Sequence, residues 1–183
     1  MSLRSPLLLF LTLSVAIGFT SRPQWAQSQP SSNTAPPVCA VTIPNQSEPP
    51  VKNFGSTVAA DYTGPQDNSI NGSYGNGKLW TQLWPDGTVI FRPGGPGFVL
   101  SDGSLSMKFP WWRGVHGKLT IQGRRLDEPA PPLRAKIPEG YSDTGFQATE
   151  LIFPAEGCWE VSGKVGDTSL TFVTRVVRIR DHK

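Results

Sequence analysis

The sequence predicts an all-β fold, a sandwich of two sheets with about seven or eight short strands. Glycine and proline are frequent, at 19 and 18 of the 183 residues, and they recur too closely for a helix of ordinary length. The runs between them are short, rich in β-branched and aromatic residues, and several alternate apolar with polar positions. Turn signals separate these runs about every 8–12 residues, which is typical of a sandwich.

The first 28 residues have the pattern of a secretory signal peptide. The apolar run Leu7–Phe19 is too short for a membrane-spanning helix, which needs roughly 20 residues. Small residues at Ala26 and Ser28 predict cleavage between Ser28 and Gln29. An uncleaved membrane anchor is the alternative.

The charge of the chain gives little support to nucleic-acid binding. The full sequence has a formal net charge of +3. Removing the signal peptide removes Arg4 and Arg22, which leaves 15 basic against 14 acidic residues and a net charge of +1. The charges are interspersed and form no basic stripe, so we expect no nucleic-acid partner.

Residues 29–77 are predicted to be a flexible arm and loop, and residues 78–180 the sandwich domain. Pro, Ser, Asn, Gln and Thr dominate from Gln29 to Thr57, and the stretch from Thr63 to Gly77 is rich in turn residues. Such segments bury too little apolar surface to offset the entropy of ordering them.

The two cysteines, Cys39 and Cys158, predict one disulfide in a chain that reaches an oxidising compartment. A lipid-modified Cys39 is the alternative. On an extended strand Cys158 shares a face with Glu160, whereas Trp159 and Val161 share the other. The bridge is therefore expected to fasten the arm to the outside or end of a sheet.

The strands themselves follow from local patterns. Leu79–Trp84 and Thr88–Arg92 flank the turn sequence Pro-Asp-Gly and are predicted to form a hairpin. Leu105, Met107 and Phe109 alternate with polar residues, which predicts a half-buried strand. The segment around Leu119 and Ile121 repeats this pattern.

The last third of the chain has the most regular pattern. Four prolines within residues 128–141 exclude a helix or a central strand and favour an extended edge or crossover. Beyond it, the Gly-Asp pair between Val165 and Thr168 predicts a tight hairpin. The long final strand is apolar on both faces in places, so we expect it to be central.

The sequence also resembles a family of uncharacterised secreted bacterial proteins with an immunoglobulin-like C-terminal half. The similarity lies in G-C-W-E-V-S-G-K-V-G-D-T-S-L-T-F-V-T-R-V, preceded by F-R-P-G-G-P-G-F-V-L and G-R-R-L-D-E-P-A-P-P-L-R-A. It covers roughly residues 77–177. The resemblance implies that the protein is secreted and has an immunoglobulin-like fold. It implies no activity.

Catalytic and metal-binding patterns are scarce. The two histidines, His116 and His182, lack the spacing of a zinc site, and no nucleophile elbow is present. We expect no metal and no cofactor. A secreted hydrolase with two carboxylates remains the second alternative, with these candidates: Asp127, Glu128, Asp143, Glu150, Glu156 and Glu160.

Aromatic residues are the remaining signal for a ligand. Adjacent residues of a strand point to opposite sides, so Trp111 is predicted to continue the core face of its strand and Trp112 the polar face, unless Pro110 changes the register. An exposed Trp112 beside Arg113 would suit a planar or sugar-like ligand. The candidate ligand-binding residues are Trp112, Arg113, Trp80 and Trp84, the last two on one predicted strand face.

These patterns favour a secreted, non-catalytic immunoglobulin-like module with an interaction or structural role. The expected partner is a protein or polysaccharide at the cell surface. A carbohydrate-binding module that uses exposed tryptophans is the first alternative.

Overall fold

The computed structural model describes residues 38–50, 72–84, 86–95 and 97–180. The predicted signal peptide, its cleavage site, His182 and much of the predicted arm lie outside these residues. No helix long and apolar enough to cross a membrane occurs in the described ranges. These ranges form ten strands: β1 (Gly72–Gly75), β2 (Leu79–Leu83), β3 (Thr88–Phe91), β4 (Gly97–Val99), β5 (Leu105–Arg113), β6 (Thr120–Arg125), β7 (Arg134–Lys136), β8 (Gly145–Phe153), β9 (Gly157–Val165) and β10 (Thr168–Arg178).

The strands form two sheets, which confirms the predicted all-β class with ten strands instead of seven or eight. The six-stranded sheet has the order β1-β2-β5-β8-β7, and β4 pairs with β5 beside it. The four-stranded sheet has the order β3-β10-β9-β6. Every pairing is antiparallel except that of β3 with β10, which is parallel.

The core lies between the two sheets and is rich in aromatic rings. Phe109 and Trp111 of β5 contact Phe172 of β10, with ring centroids 5.4 and 6.2 Å apart. Phe153 of β8 meets Trp159 of β9 edge to face at 5.7 Å. Because these pairs join strands of different sheets, the inward faces pack as one core.

The predicted hairpin between Leu79 and Arg92 is wrong. The turn is present, since the amide of Gly87 donates to the carbonyl of Trp84 over 2.9 Å. However, β2 pairs with β1 and β5, whereas β3 enters the other sheet beside β10. Gly87 O accepts hydrogen bonds from the amide of Arg175 and the hydroxyl of Thr174, which direct the chain after the turn toward β10.

The stretch predicted as an irregular loop contains a strand. β1 pairs antiparallel with β2, and the side-chain oxygen of Asn76 accepts hydrogen bonds from the amides of Lys78 and Leu79 in the connection. Gly77 has φ +84° there, a conformation that glycine adopts readily. The same turn residues that indicated a loop therefore form the tip of a hairpin.

Pro110 lies inside β5 without disturbing its alternation. Its carbonyl accepts a hydrogen bond from the hydroxyl of Thr81 on β2. The edge of β5 that faces away from β8 pairs with β4 at residues 105–107 and with β2 at residues 111–113. Pro110 lies between these two paired segments. Since no ladder partner is required there, the missing N–H is tolerated.

The remaining strands form as predicted, except that β5 is buried on both faces instead of being half-buried, since Ser106 and Trp112 on its outer face are 1% and 3% exposed. β9 and β10 form a hairpin whose turn contains Gly166 at φ +56°, and β10 is central between β3 and β9. The proline-rich segment supplies only β7, an edge strand of the six-stranded sheet. Leu105, Met107 and Phe109 are buried in the core, and Leu119 joins them.

A disulfide between Cys39 and Cys158 confirms the predicted pairing. Two hydrogen bonds join Thr42 of the arm to the backbone of Val173 on β10. The amide of Thr42 donates to the carbonyl of Val173 over 2.8 Å, and the amide of Val173 donates to the hydroxyl of Thr42 over 2.9 Å. Trp159 and Val161 face the core, so Cys158 faces outward as predicted. The bridge holds the arm on the outer face of the four-stranded sheet.

Candidate functional site

The register of β2, β5 and β8 aligns three aromatic side chains on the outer face of the six-stranded sheet. Trp80 is directly opposite Trp112, and Trp112 is directly opposite Phe146. Tyr141, from the loop before β8, adds a fourth ring beside Phe146. We call these four residues the aromatic row.

The aromatic row has two buried and two exposed members. Trp80 and Trp112 are buried, at 4% and 3% exposure, whereas Phe146 and Tyr141 are 38% and 40% exposed. The ring of Phe146 contacts Trp112 edge to face at 5.2 Å and Tyr141 at 5.7 Å. The exposed pair therefore rests on a buried tryptophan, and the exposed ring predicted at Trp112 lies instead at Phe146 and Tyr141.

The sequence around Trp80 explains its burial. A Cβ atom on Gly75 would lie 2.1 Å from Cδ1 of Trp80, so the indole covers a position that only glycine leaves open. A Cβ atom on Gly114 would lie 2.8 Å from Cζ3 at the other end of the ring. The indole N–H donates to the hydroxyl of Ser47 in the arm over 3.2 Å, which leaves this ring little surface for a ligand.

Arg113 does not stack on Trp112. The two residues alternate on β5, and Arg113 is only 5% exposed. Its Nη1 donates to the carbonyl of Gly117 over 2.9 Å, and its Nη2 donates to the carbonyl of Ser142. Arg113 thus joins two loops and fixes the backbone next to Tyr141.

The predicted shared face of Trp80 and Trp84 is wrong. β2 ends at Leu83, so Trp84 lies beyond the alternation of the strand. Its ring packs on the core and stacks on Phe109 at 6.2 Å. Trp111 is fully buried on the core face, as predicted.

The loop that carries Tyr141 is held by a second set of polar contacts. Asp143 accepts hydrogen bonds from the amide of Gly117 at 3.0 Å and pairs with Nδ1 of His116 at 2.8 Å. The His116 contact and the Gly117 amide lower the pKa of Asp143. With Arg113, these bonds order both loops at this end of the sheet.

Each carboxylate proposed from the sequence contacts a basic side chain. The pairs are Asp127 and Glu128 with Arg125, Asp143 with His116, Glu150 with Lys136, Glu156 with Arg180, and Glu160 with Arg124. The Ser106 hydroxyl and then Lys136 lower the pKa of Glu150. Partial burial acts to raise the pKa of Asp127, but hydrogen bonds from Arg125 and backbone amides outweigh it and lower that pKa. These three groups, Asp127, Asp143 and Glu150, are therefore held in the ionised form.

Within the described ranges no group of three or more His, Cys, Asp or Glu residues is arranged to hold a metal ion. The aromatic row offers contacts of a different kind, namely ring stacking and van der Waals contact. The hydroxyl of Tyr141 has no hydrogen-bond partner among the described residues, so it can donate to or accept from a ligand.

Sequence reasoning missed Tyr141 and Phe146. Phe146 was visible only as the first apolar residue of a strand, and Tyr141 as the end of a proline-rich segment. Their proximity depends on the pairing of β5 with β8 and on the loop bonds of Arg113, which no local pattern encodes.

Comparison with protein-family models, with curated proteins and with solved structures found no match to this chain.

Proposed function

We propose that this protein is an extracytoplasmic, non-catalytic module of immunoglobulin-like type that binds a partner at or outside the cell surface. The exposed pair of Tyr141 and Phe146 carries the proposal. Aromatic rings held on a rigid base lose little entropy on binding, and such residues dominate the energy of many interfaces. Trp112 beneath the pair and Arg113 beside it supply that base.

The state of the carboxylates supports a non-catalytic role. A glycoside hydrolase needs a general acid whose pKa is raised, so that the group is protonated near neutral pH. Asp127, Asp143 and Glu150 have lowered pKa values, and each contacts a basic residue. The lowered pKa values of these three carboxyl groups favour a binding role over glycoside hydrolysis.

The disulfide and the N-terminal sequence support export. A disulfide persists in an oxidising compartment, and residues 1–28 have the pattern of a signal peptide. Mass spectrometry of the protein isolated from its host should find Gln29 at the N-terminus. A mature chain that retains residue 1 would instead support the membrane anchor.

The binding proposal is tested by measuring retention of the purified protein on the envelope fraction of its own host cells. The double substitution Tyr141→Ala and Phe146→Ala should weaken retention at least about tenfold. Phe98→Ala is the matched control, since Phe98 is an exposed ring on the outer face of the same sheet, on β4. Equal losses in both variants would overturn the role of the Tyr141–Phe146 pair.

A carbohydrate ligand is the second candidate, favoured by the exposed Tyr141 ring and by its hydroxyl, which no described residue binds. A ring face and an adjacent hydroxyl match the apolar face and the hydroxyl groups of a sugar. Treating the envelope with protease separates the two candidates. Retention that survives protease, together with depletion of the protein by insoluble cellulose or chitin, would identify a glycan. Retention lost after protease would identify a protein partner.

A further inference from the structure

A cavity of about 330 Å³ opens at the opposite end of the sandwich from Tyr141. It lies where β6 and β10 end, beside the connection between β8 and β9 and the turn that contains Gly103. β8 spans nine residues, so the cavity and the loop of Tyr141 are roughly 26 Å apart. Its volume suits a ligand of monosaccharide size.

Three of the residues that line this cavity are arginines. Arg125, Arg178 and Arg180 line it, and Glu156 is the one acidic residue among the described lining residues. We call this set the arginine cavity. Glu156 accepts from Nη2 of Arg180 at 3.0 Å and from the backbone amide of Arg178 at 3.1 Å, so both of its oxygens are occupied.

The guanidinium of Arg178 has no ion-pair partner among the described residues. Its main chain is held at the end of β10, because its amide donates to Glu156, and its side chain lines the cavity from there. A positive charge that lines a cavity without a protein counter-charge favours an anion there.

Arg125 is held in one orientation by two carboxylates. Its Nε contacts Asp127 at 2.7 Å, its Nη2 contacts Glu128 at 3.0 Å, and its side chain is only 14% exposed. A Cβ atom on Gly157 would lie 2.3 Å from that Nε, so glycine at this position makes room for the guanidinium. The Nη1 group has no partner among the described residues and remains able to donate.

From this arrangement we propose that the arginine cavity binds an oxyanion, a carboxylate, sulfate or phosphate group, carried by a small ligand. Arg178 supplies a guanidinium without an ion-pair partner among the described residues, and Arg125 supplies a preorganised donor. Arg180 is the adaptable member, since it can exchange its surface contact with Glu156 for the ligand. The site is independent of the partner proposed for the aromatic row.

The test is an NMR titration of the ¹⁵N-labelled protein with sodium sulfate, sodium phosphate and sodium glucuronate at constant ionic strength. At least one anion should produce saturable shifts at the amides of Gly103, Ala155 and Gly157. Arg178→Gln should raise the Kd for that anion at least tenfold, and glucose should produce no such shifts. The anion with the lowest Kd distinguishes a tetrahedral group from a planar one.

Arg175→Gln is the matched control, because it removes the same charge from an exposed position on the same strand. The Kd of this variant for the anion should stay within twofold of the Kd of the unsubstituted protein.

Ala155→Glu provides a second variant, which places a negative charge in the cavity and should abolish the shifts. Equal losses in Arg178→Gln and Arg175→Gln, or no saturation with any of the three anions, would overturn the proposal. Tyr141→Ala should leave the Kd unchanged, so failure of the envelope-binding proposal and of this one are distinguishable.

Discussion

Trp111 and Trp112 are adjacent on β5, face opposite sides of one sheet, and are both buried. Trp111 packs between the sheets against Phe172. Trp112 lies on the outer face and contacts Phe146. Since a large indole loses most of its water contact at each site, both residues should contribute to the stability of the fold.

Replacement of the buried and the exposed members of the aromatic row should therefore have different effects on folding. Trp112→Ala should lower the free energy of unfolding by about 3–5 kcal/mol, because it leaves a cavity beneath Phe146. Tyr141→Ala removes a half-exposed ring and should cost about 1 kcal/mol. Urea unfolding followed by circular dichroism measures both. Equal costs would mean that Trp112 does not support the row.

Asp102 provides a prediction on pH. The hydroxyl and the amide of Ser104 donate to its carboxylate, and with Arg134 they lower its pKa from 3.8 to about 2. The ion pair with Arg134 contributes little because both side chains are more than half exposed. A carboxyl whose pKa is lower in the folded state stabilises the protein above the unfolded pKa, and this contribution is lost as the pH falls from about 4 to about 2.

The substitution Asp102→Asn should consequently flatten the fall in unfolding free energy between pH 4 and pH 2. Ser104→Ala should raise the pKa of Asp102 toward its ordinary value, which a ¹³C NMR titration of the carboxyl group reports directly. An unchanged pKa in Ser104→Ala would show that the Ser104 hydroxyl is not the cause of the shift.

For individual strands, the sequence predicts which side chains point toward the core, but it does not predict which strands pair with each other. Alternation alone placed Leu105, Met107 and Phe109 inward and Cys158 outward, because side-chain direction follows from the backbone of one strand. The pairing of β3 with β10 depends on contacts between distant residues, among them the bonds from Gly87 O to Thr174 and Arg175. A tight turn before β3 is compatible with either sheet, so the hairpin prediction failed there.

The difference between side-chain direction and strand pairing also explains why the exposed aromatic residues differ from the predicted ones. Trp80 and Trp112 were chosen for their residue type, and the structure buries both. Tyr141 and Phe146 become neighbours only when β8 pairs with β5 and the loop before it is fixed by Arg113. Exposure depends on what covers a ring, and for Trp80 that includes Ser47, which is distant in sequence.

The approach of β9 to β5 across the core depends on a glycine. A Cβ atom on Gly163 would lie 2.4 Å from Cη2 of Trp111, a ring that is fully buried. Gly163→Ala should therefore lower the unfolding free energy by about 1–3 kcal/mol through overpacking. Lys164→Ala on the same strand is exposed and should change it by less than about 0.5 kcal/mol. Similar values for the two variants in urea unfolding would contradict this account.

For the whole molecule, the disulfide is the longest-range covalent constraint among the described residues. It joins residues 119 positions apart, and the chain-entropy model gives on the order of 4–5 kcal/mol as an upper value for a loop of that length. The double substitution Cys39→Ser and Cys158→Ser should lower the unfolding free energy by up to that amount. Thermal unfolding compared with the oxidised protein measures the loss. Thiol titration of the denatured, unreduced protein should detect no free thiol, and two thiols would contradict the bridge.

The position of β10 has a consequence for the order of biosynthesis. β10, the last strand in chain order among the described residues, lies between β3 and β9, and Cys39 cannot pair until Cys158 has been synthesised. During translation β3 therefore has no strand partner among the described residues until the ribosome has added residues 168–178. The four-stranded sheet is therefore completed only once β10 has been synthesised, so residues 88–91 stay without their strand partner while about 80 further residues are added.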